Sequence, residues 1–255
     1  MKHKSRQLIP GLHIAIVSNF AGGSGGSMLA LEVYATCLAS GIGAIIATND
    51  RSHDYSNMGY DLQYLPVICA GDTGQDQVRH LSYIKQLVAK ARSLKKLLIV
   101  DFKAGYASAH QMLNALRDAG AFQSSSVAAL VPAITGDYGV RGSAVALRTM
   151  ESMKISVDRG LIRMWTLPRD PKLPDIAALP PFPVWSVDQL THHEKKMIHR
   201  GYWNSRRAAI YLIFQCPAQD RSSIPKVLAH FDAAKSAIYD AIIAPITKPI
   251  QESLP

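Results

Sequence analysis

Cysteine is scarce in this chain, and its pattern excludes two function classes. Cys37, Cys69 and Cys216 are the only three in 255 residues. They are far apart, odd in number and without metal-ligand spacing, so neither a disulfide framework nor a zinc site is expected. Reduced, mostly buried thiols in a cytoplasmic protein are the simplest reading. No stretch approaches the roughly 18 apolar residues of a membrane span, so no transmembrane segment is expected. The start, Met1 to Arg6 followed by an apolar stretch, has the outline of a signal peptide. Pro10, His13, Ser18 and Asn19 interrupt it, and it reads instead as a basic tail and a first strand. Acidic residues are in the minority: 19 against 28 Lys and Arg give a net charge of +9 and a pI near 9.5. Such a balance favours nucleic acid or an anionic membrane over acidic partners, although the excess is spread along the chain. No internal repeat is present.

What remains is an alternation. A length of 255 residues with 48% apolar content suits one α/β domain, or one with a short appendage. Strand-like runs at Leu12–Ser18, Ala44–Thr48, Asp61–Cys69, Leu97–Asp101, Val127–Pro132 and Leu161–Leu167 are separated by helix-like runs. These are Met28–Ala39, Asp76–Leu94, Ala107–Ala119 and Val140–Met153. In the second of these helices Val78, Leu81, Ile84, Leu87 and Val88 share a face. The order predicts an α/β fold with a doubly wound, mostly parallel sheet and helices on both faces. Residues 1–170 are expected to form the core and 171–185 a Pro-rich loop. Residues 186–255 form a basic and helical segment that completes the same domain. That segment contains a basic helix-like stretch (Ser186–Arg200), a strand at Ala209–Phe214 and a final helix, Ile224–Ile243. Val227, Leu228, Phe231, Ala234, Ile238 and Ile242 share a face of the final helix. The face either docks on the sheet or meets a dimer partner or membrane.

In a doubly wound sheet, ligands gather at the carboxyl ends of the strands. There the first strand breaks into Gly22-Gly23-Ser24-Gly25-Gly26-Ser27, and a helix begins at Met28. Glycines permit positive φ and leave no Cβ between backbone N–H groups and an anion. With the positive end of the helix they form a phosphate nest, and the Ser27 hydroxyl can reach a magnesium ion. Asp50 and Asp101 close two further strands, the second followed by Phe102-Lys103-Ala104-Gly105. A carboxylate at a buried strand tip beside such a loop is placed to hold magnesium. Each feature alone also suits an ordinary turn or strand cap. Gly23-x-Gly25-x-x-Met28 lacks the third glycine of a dinucleotide fingerprint, although Asp50 lies where a ribose-binding acid would.

Together these motifs resemble the ParA/MinD group of P-loop ATPases with the deviant loop K-G-G-x-G-K-S/T. Here it reads Ala21-Gly22-Gly23-Ser24-Gly25-Gly26-Ser27. The family's D-x-D corresponds to Thr48-Asn49-Asp50, its D-x-P-A-G-like turn to Asp101-Phe102-Lys103-Ala104-Gly105, and a strand ending in proline to Val131-Pro132. Ser18-Asn19-Phe20 is similar to plasmid-stability and conjugation-linked members such as StbB. The resemblance spans roughly residues 12–170. It implies ATP and Mg2+ cradled by Gly22 to Met28, magnesium at Ser27 and Asp101, and a catalytic role for Asp50. It also implies a homodimer, or pairing with a partner ATPase or adaptor, and nonspecific DNA binding.

The departures lie in the charges. The family's two loop lysines fall on Ala21 and Gly26, and its first aspartate on Thr48. Loss of one placed cation costs several kcal/mol, on the order of a thousandfold in rate. Lys103 is a candidate substitute. The densest basic and aromatic cluster, Lys195, Lys196, Arg200, Arg206 and Arg207 with Tyr202 and Trp203, is the candidate DNA contact. The expected function is a partition or positioning protein, plasmid- or conjugation-linked, with weak or no ATP hydrolysis. The alternatives are a non-hydrolysing scaffold and an NAD(P)-binding oxidoreductase, which lacks a Tyr-x-x-x-Lys arrangement.

Overall fold

The computed structural model describes residues 6–20, 25–50, 60–66, 72–102, 105–134, 137–165, 175–187, 191, 193–194, 196–198, 200 and 218–249. Seven strands form one parallel sheet. In chain order, β1 (Arg6–Leu8) precedes β2 (Leu12–Val17), α1 (Gly26–Ala39), β3 (Ala44–Thr48) and β4 (Leu62–Tyr64). Then come α2 (Gly74–Ser93), β5 (Leu97–Asp101), α3 (Tyr106–Asp118), β6 (Ser125–Ile134) and α4 (Asp137–Ser152). The chain continues through β7 (Arg159–Trp165), β8 (Val184–Val187), α5 (Ile224–Ile238) and β9 (Thr247–Pro249). Across the sheet the order is β4-β3-β5-β2-β6-β7-β8. Every neighbouring pair is parallel.

The burial follows from that order. β2, β3 and β5 are buried at every residue, because a parallel sheet is covered on both faces. From β2 the chain crosses one way through α1 to β3. It then crosses the opposite way through α2, α3 and α4. Right-handed crossovers therefore place α1 on one face and α2–α4 on the other. The core divides accordingly. Leu29, Val33, Ile46 and Ile99 pack on the α1 side, and Ile45, Ile84, Leu113 and Val100 on the α2–α3 side. Helix α1 is apolar almost all round, since the sheet covers one side and α5 the other. Cys37 lies in this layer, where burial pushes its thiol up to about 12.

The doubly wound sheet is the expected one, with several local differences. β4 covers Leu62–Tyr64 only; Asp61, Leu65 and Pro66 of the longer expected strand are not part of it, and the rest of that expectation lies outside the described residues. Helix α2 begins at Gly74 rather than Asp76. The Thr73 hydroxyl accepts from the Asp76 N–H and the Asp76 carboxylate accepts from the Thr73 N–H, closing a capping box ahead of the periodic residues. Val78 is 68% exposed and so leaves the expected buried face, which holds Ile84, Leu87 and Val88. Ser186 and Val187 belong to β8, which pairs with β7, and not to a helix. The final helix passes into a π-helical turn at Tyr239–Ile243. Its face is buried: Val227, Ala234, Ile238 and Ile242 pack against α1 and the sheet. Two short strands carried no local signal. β1 and β9 pair antiparallel, Leu8 opposite Thr247, and fasten one end of the described chain to the other. The strand expected at Ala209–Phe214 lies outside the described residues.

Candidate functional site

Three strand tips meet at the carboxyl edge. Thr48 closes β3 directly opposite Asp101, which closes β5. Asp101 is 1% exposed. Beyond Thr48 the chain turns: the Asp50 N–H donates to the Thr48 hydroxyl at 3.0 Å, so half-buried Asp50 sits just past the tip. β2 lies between β5 and β6, where the direction of the crossovers reverses. Strand loops part at such a reversal and leave a crevice.

The chain leaving β2 is held on both sides. Ser18 N–H donates to the Leu130 carbonyl at 2.7 Å, and the Asn19 amide donates to the Pro132 carbonyl at 3.2 Å, both on β6. On the other side the Phe20 ring meets Phe102 edge-on at 6.4 Å, and the Phe20 carbonyl accepts from the Gly105 N–H at 3.0 Å. The residue pairs Ser18-Asn19 and Phe102–Gly105 thus clamp the loop's entry between β5 and β6.

At its exit, Gly25 adopts φ 77°, ψ 22°, a left-handed conformation that glycine takes without strain. The Leu29 N–H donates to its carbonyl at 3.1 Å and opens the helix. No side chain caps α1, and its first turn has no acidic residue. Geometry leaves the first N–H groups of a helix without intrahelical acceptors. Those of Gly26, Ser27 and Met28 therefore stand at the positive end of the helix dipole, ready for an anion.

Sequence reasoning missed the cation beneath this loop. Arg163 on β7 is 1% exposed. Its Nη1 donates to Oε2 of Glu32 on α1 at 2.8 Å, and its Nη2 donates to the Gly25 carbonyl at 2.6 Å. The guanidinium lies over the Trp165 ring at 4.9 Å. The other Glu32 oxygen is 3.3 Å from Nε2 of His230 on α5, and His230 packs against Trp185 at 5.3 Å. A buried charge is tolerated only when paired and hydrogen-bonded, and this pair is both. The signal was present in sequence. Arg163 interrupts Leu161-Ile162-Arg163-Met164-Trp165, and Glu32 is the one charge in an otherwise uncharged helix.

No family model matches the chain, and no curated protein sequence does. Its architecture does have solved counterparts. It matches the septum site-determining protein MinD of Pyrococcus horikoshii OT3, solved with Mg-ADP. The TM-score is 0.52 at 11% identity, over 88% of this chain and 94% of that one. The cell division ATPase MinD of Pyrococcus furiosus gives 0.52 at 14% identity, over 90% and 99%. The MinC:MinD cell division complex of Aquifex aeolicus gives 0.52 at 12%, over 89% and 95%. The chain has the fold of these MinD structures. At such identities the shared property is architecture. A dinucleotide oxidoreductase is not favoured by it.

Within the MinD-type fold the expected site residues divide. Gly25, Gly26, Ser27, Met28, Asp50 and Asp101 all fall at the carboxyl edge of the sheet. Gly22, Gly23, Ser24 and the candidate substitute Lys103 lie outside the described residues, as do Lys195, Arg206 and Arg207. Lys196 and Arg200 are exposed, while Met197 and Ile198 between them are buried in the α1-side core. Just before them, burial pushes the Glu194 carboxyl up, but the Thr191 N–H and hydroxyl and Lys226 outweigh it and hold it below its ordinary value. Among the described residues no cluster of His, Cys, Asp and Glu is arranged to hold a metal. Nor is any helix there long and apolar enough to cross a membrane.

Proposed function

We propose that this chain is a MinD-like positioning or partition protein whose nucleotide site has lost its loop cations. One observation carries the reading. The uncapped, acid-free start of α1 lies at the crossover reversal, beside the buried Asp101 tip. These residues fit a nucleotide phosphate and its magnesium. The amides of Gly26, Ser27 and Met28 would take phosphate oxygens, and the Ser27 hydroxyl and Asp101 carboxylate would take the metal. Asp50, just past the neighbouring tip, would orient the attacking water. Bound Mg-ATP supplies the transferable phosphoryl group. With Ala21 and Gly26 where the resembling family has lysines, hydrolysis is weak or nil.

The setting is a cytoplasmic protein of plasmid segregation or conjugation, acting as a homodimer or with a partner ATPase or adaptor. Its DNA contact is the segment Lys195, Lys196, Arg200, Arg206 and Arg207, supported by the exposure of Lys196 and Arg200 over a buried Met197-Ile198 anchor. A second reading, a non-hydrolysing scaffold, is favoured by one observation. The charge of Arg163 is matched by Glu32 and directed at a carbonyl, so it does not replace a loop lysine.

Calorimetry with Mg-ATP on the wild type and Gly26→Lys tests the site. The restored lysine should tighten binding by about tenfold or more. Absence of binding in both proteins sinks the nucleotide reading. Turnover by the wild type under saturating Mg-ATP separates a slow ATPase from the scaffold. Changing Arg206 and Arg207 to Ala should weaken duplex binding and flatten its salt dependence.

A further inference from the structure

Arg163 reaches the loop from two strands away, since β6 lies between β2 and β7. Its side of β7, with Leu161 and Trp165, faces α1. The guanidinium forks: one nitrogen takes the Glu32 carboxylate and the other the Gly25 carbonyl. The same carbonyl accepts from Leu29, so it is fixed from two directions. In a trans peptide the N–H points opposite the C=O. Holding the Gly25 carbonyl against Arg163 therefore turns the Gly26 N–H away from the protein interior. Residue 25 is confined in turn by Arg163. A Cβ there would lie 2.6 Å from Nη2.

We propose that Arg163 is the positioning residue of the phosphate loop, setting the direction of its exit peptide from behind rather than touching the ligand. Glu32 is the second half of the device. It orients the fork and is itself braced by His230 on α5. The purpose assigned to the hold, presenting amides to a phosphate, rests on the nucleotide reading above, but the hold itself does not.

The test removes the fork without leaving a buried charge. Arg163→Met alone strands Glu32, whereas Arg163→Met with Glu32→Leu replaces the pair by apolar groups of similar size, a change that is commonly neutral for stability. In the nucleotide-free chain, the Leu29 amide should exchange with solvent about tenfold faster in the double variant. The β5 amides of Ile99 and Val100 should exchange as in the wild type. Mg-ATP affinity should fall by a similar factor. Unchanged Leu29 exchange in the double variant overturns the proposal, whatever the nucleotide does. A wild type that fails to bind Mg-ATP sinks the nucleotide reading instead, and the exchange comparison still decides the hold. Should the double variant not fold, Arg163→Lys keeps a charge for Glu32 but cannot fork to Gly25. It must then show the same local rise in Leu29 exchange with an unchanged urea midpoint. A rise spread over the whole sheet would mark Arg163 as a general structural residue and overturn the proposal.

Discussion

Helices α1 and α2 begin in opposite ways. Helix α2 closes its own N-terminus: Thr73 and Asp76 exchange hydrogen bonds, and the box depends on four consecutive residues. Helix α1 begins at a left-handed glycine with no capping side chain and no acid in its first turn. It is fixed from below by Arg163, 138 positions along the chain. A self-sufficient start spends its N–H groups on its own side chains. A start held through its carbonyl keeps them for something else. The first arrangement serves stability, and the second, on the proposed reading, leaves those groups for a ligand.

The largest break in this contrast is Glu32→Leu, which leaves Arg163 buried without its carboxylate. It should cost about 3–5 kcal/mol in urea denaturation. Next is Gly25→Ala. A left-handed φ and a Cβ driven against Nη2 should together cost about 2–3 kcal/mol by the same measurement. The matching lesion in α2, Thr73→Ala, should cost only about 1 kcal/mol, because a local cap is all that is lost. Ser27→Asp sharpens the comparison by giving α1 the first-turn acid it lacks. Stability should hold or rise by up to about 1 kcal/mol through the helix dipole. Mg-ATP binding measured by calorimetry should disappear, since the new carboxylate would occupy the position proposed for a phosphate.

The smallest effect is a titration. The Thr73 hydroxyl and N–H hold the Asp76 carboxyl below its ordinary value. The folded state therefore binds that proton less readily than the unfolded chain. The capping contribution is complete above the ordinary carboxylate value and fades as pH falls through the depressed one. The Asp76 carboxyl resonance in NMR should titrate below the usual range and move back towards it in Thr73→Ala.

Local pattern carried most of the sheet into view. Runs such as Leu97-Leu98-Ile99-Val100 read as buried strands, their alternation with helix-like runs reads as parallel pairing, and the glycine break after β2 marks a turn into a helix. The strand tip at Asp101, the turn at Asp50 just past β3 and the helix start at Gly25 to Ser27 were legible for the same reason. What escaped was long-range. β1 and β9 are three residues each and exist only because Arg6–Leu8 finds Thr247–Pro249. β8 follows a proline cluster that reads as loop, and its partner β7 makes it a strand. Arg163, Glu32 and His230 looked like single anomalies in apolar segments. Nothing local says that an arginine on one strand answers a glutamate 131 residues away. Lys103, the candidate replacement for the loop lysines, lies outside the described residues, and Arg163, the cation seen at Gly25, is already paired with Glu32.

The cover that α5 lays over α1 also has a consequence for synthesis. Helix α1 ends at Ala39 and α5 begins at Ile224. A ribosome working at roughly 5–20 residues per second needs about ten to forty seconds to make the chain between them. For that interval the outer side of the nascent helix faces water or a chaperone. Glu32, later fully buried beside Arg163, is then the single charge of that helix.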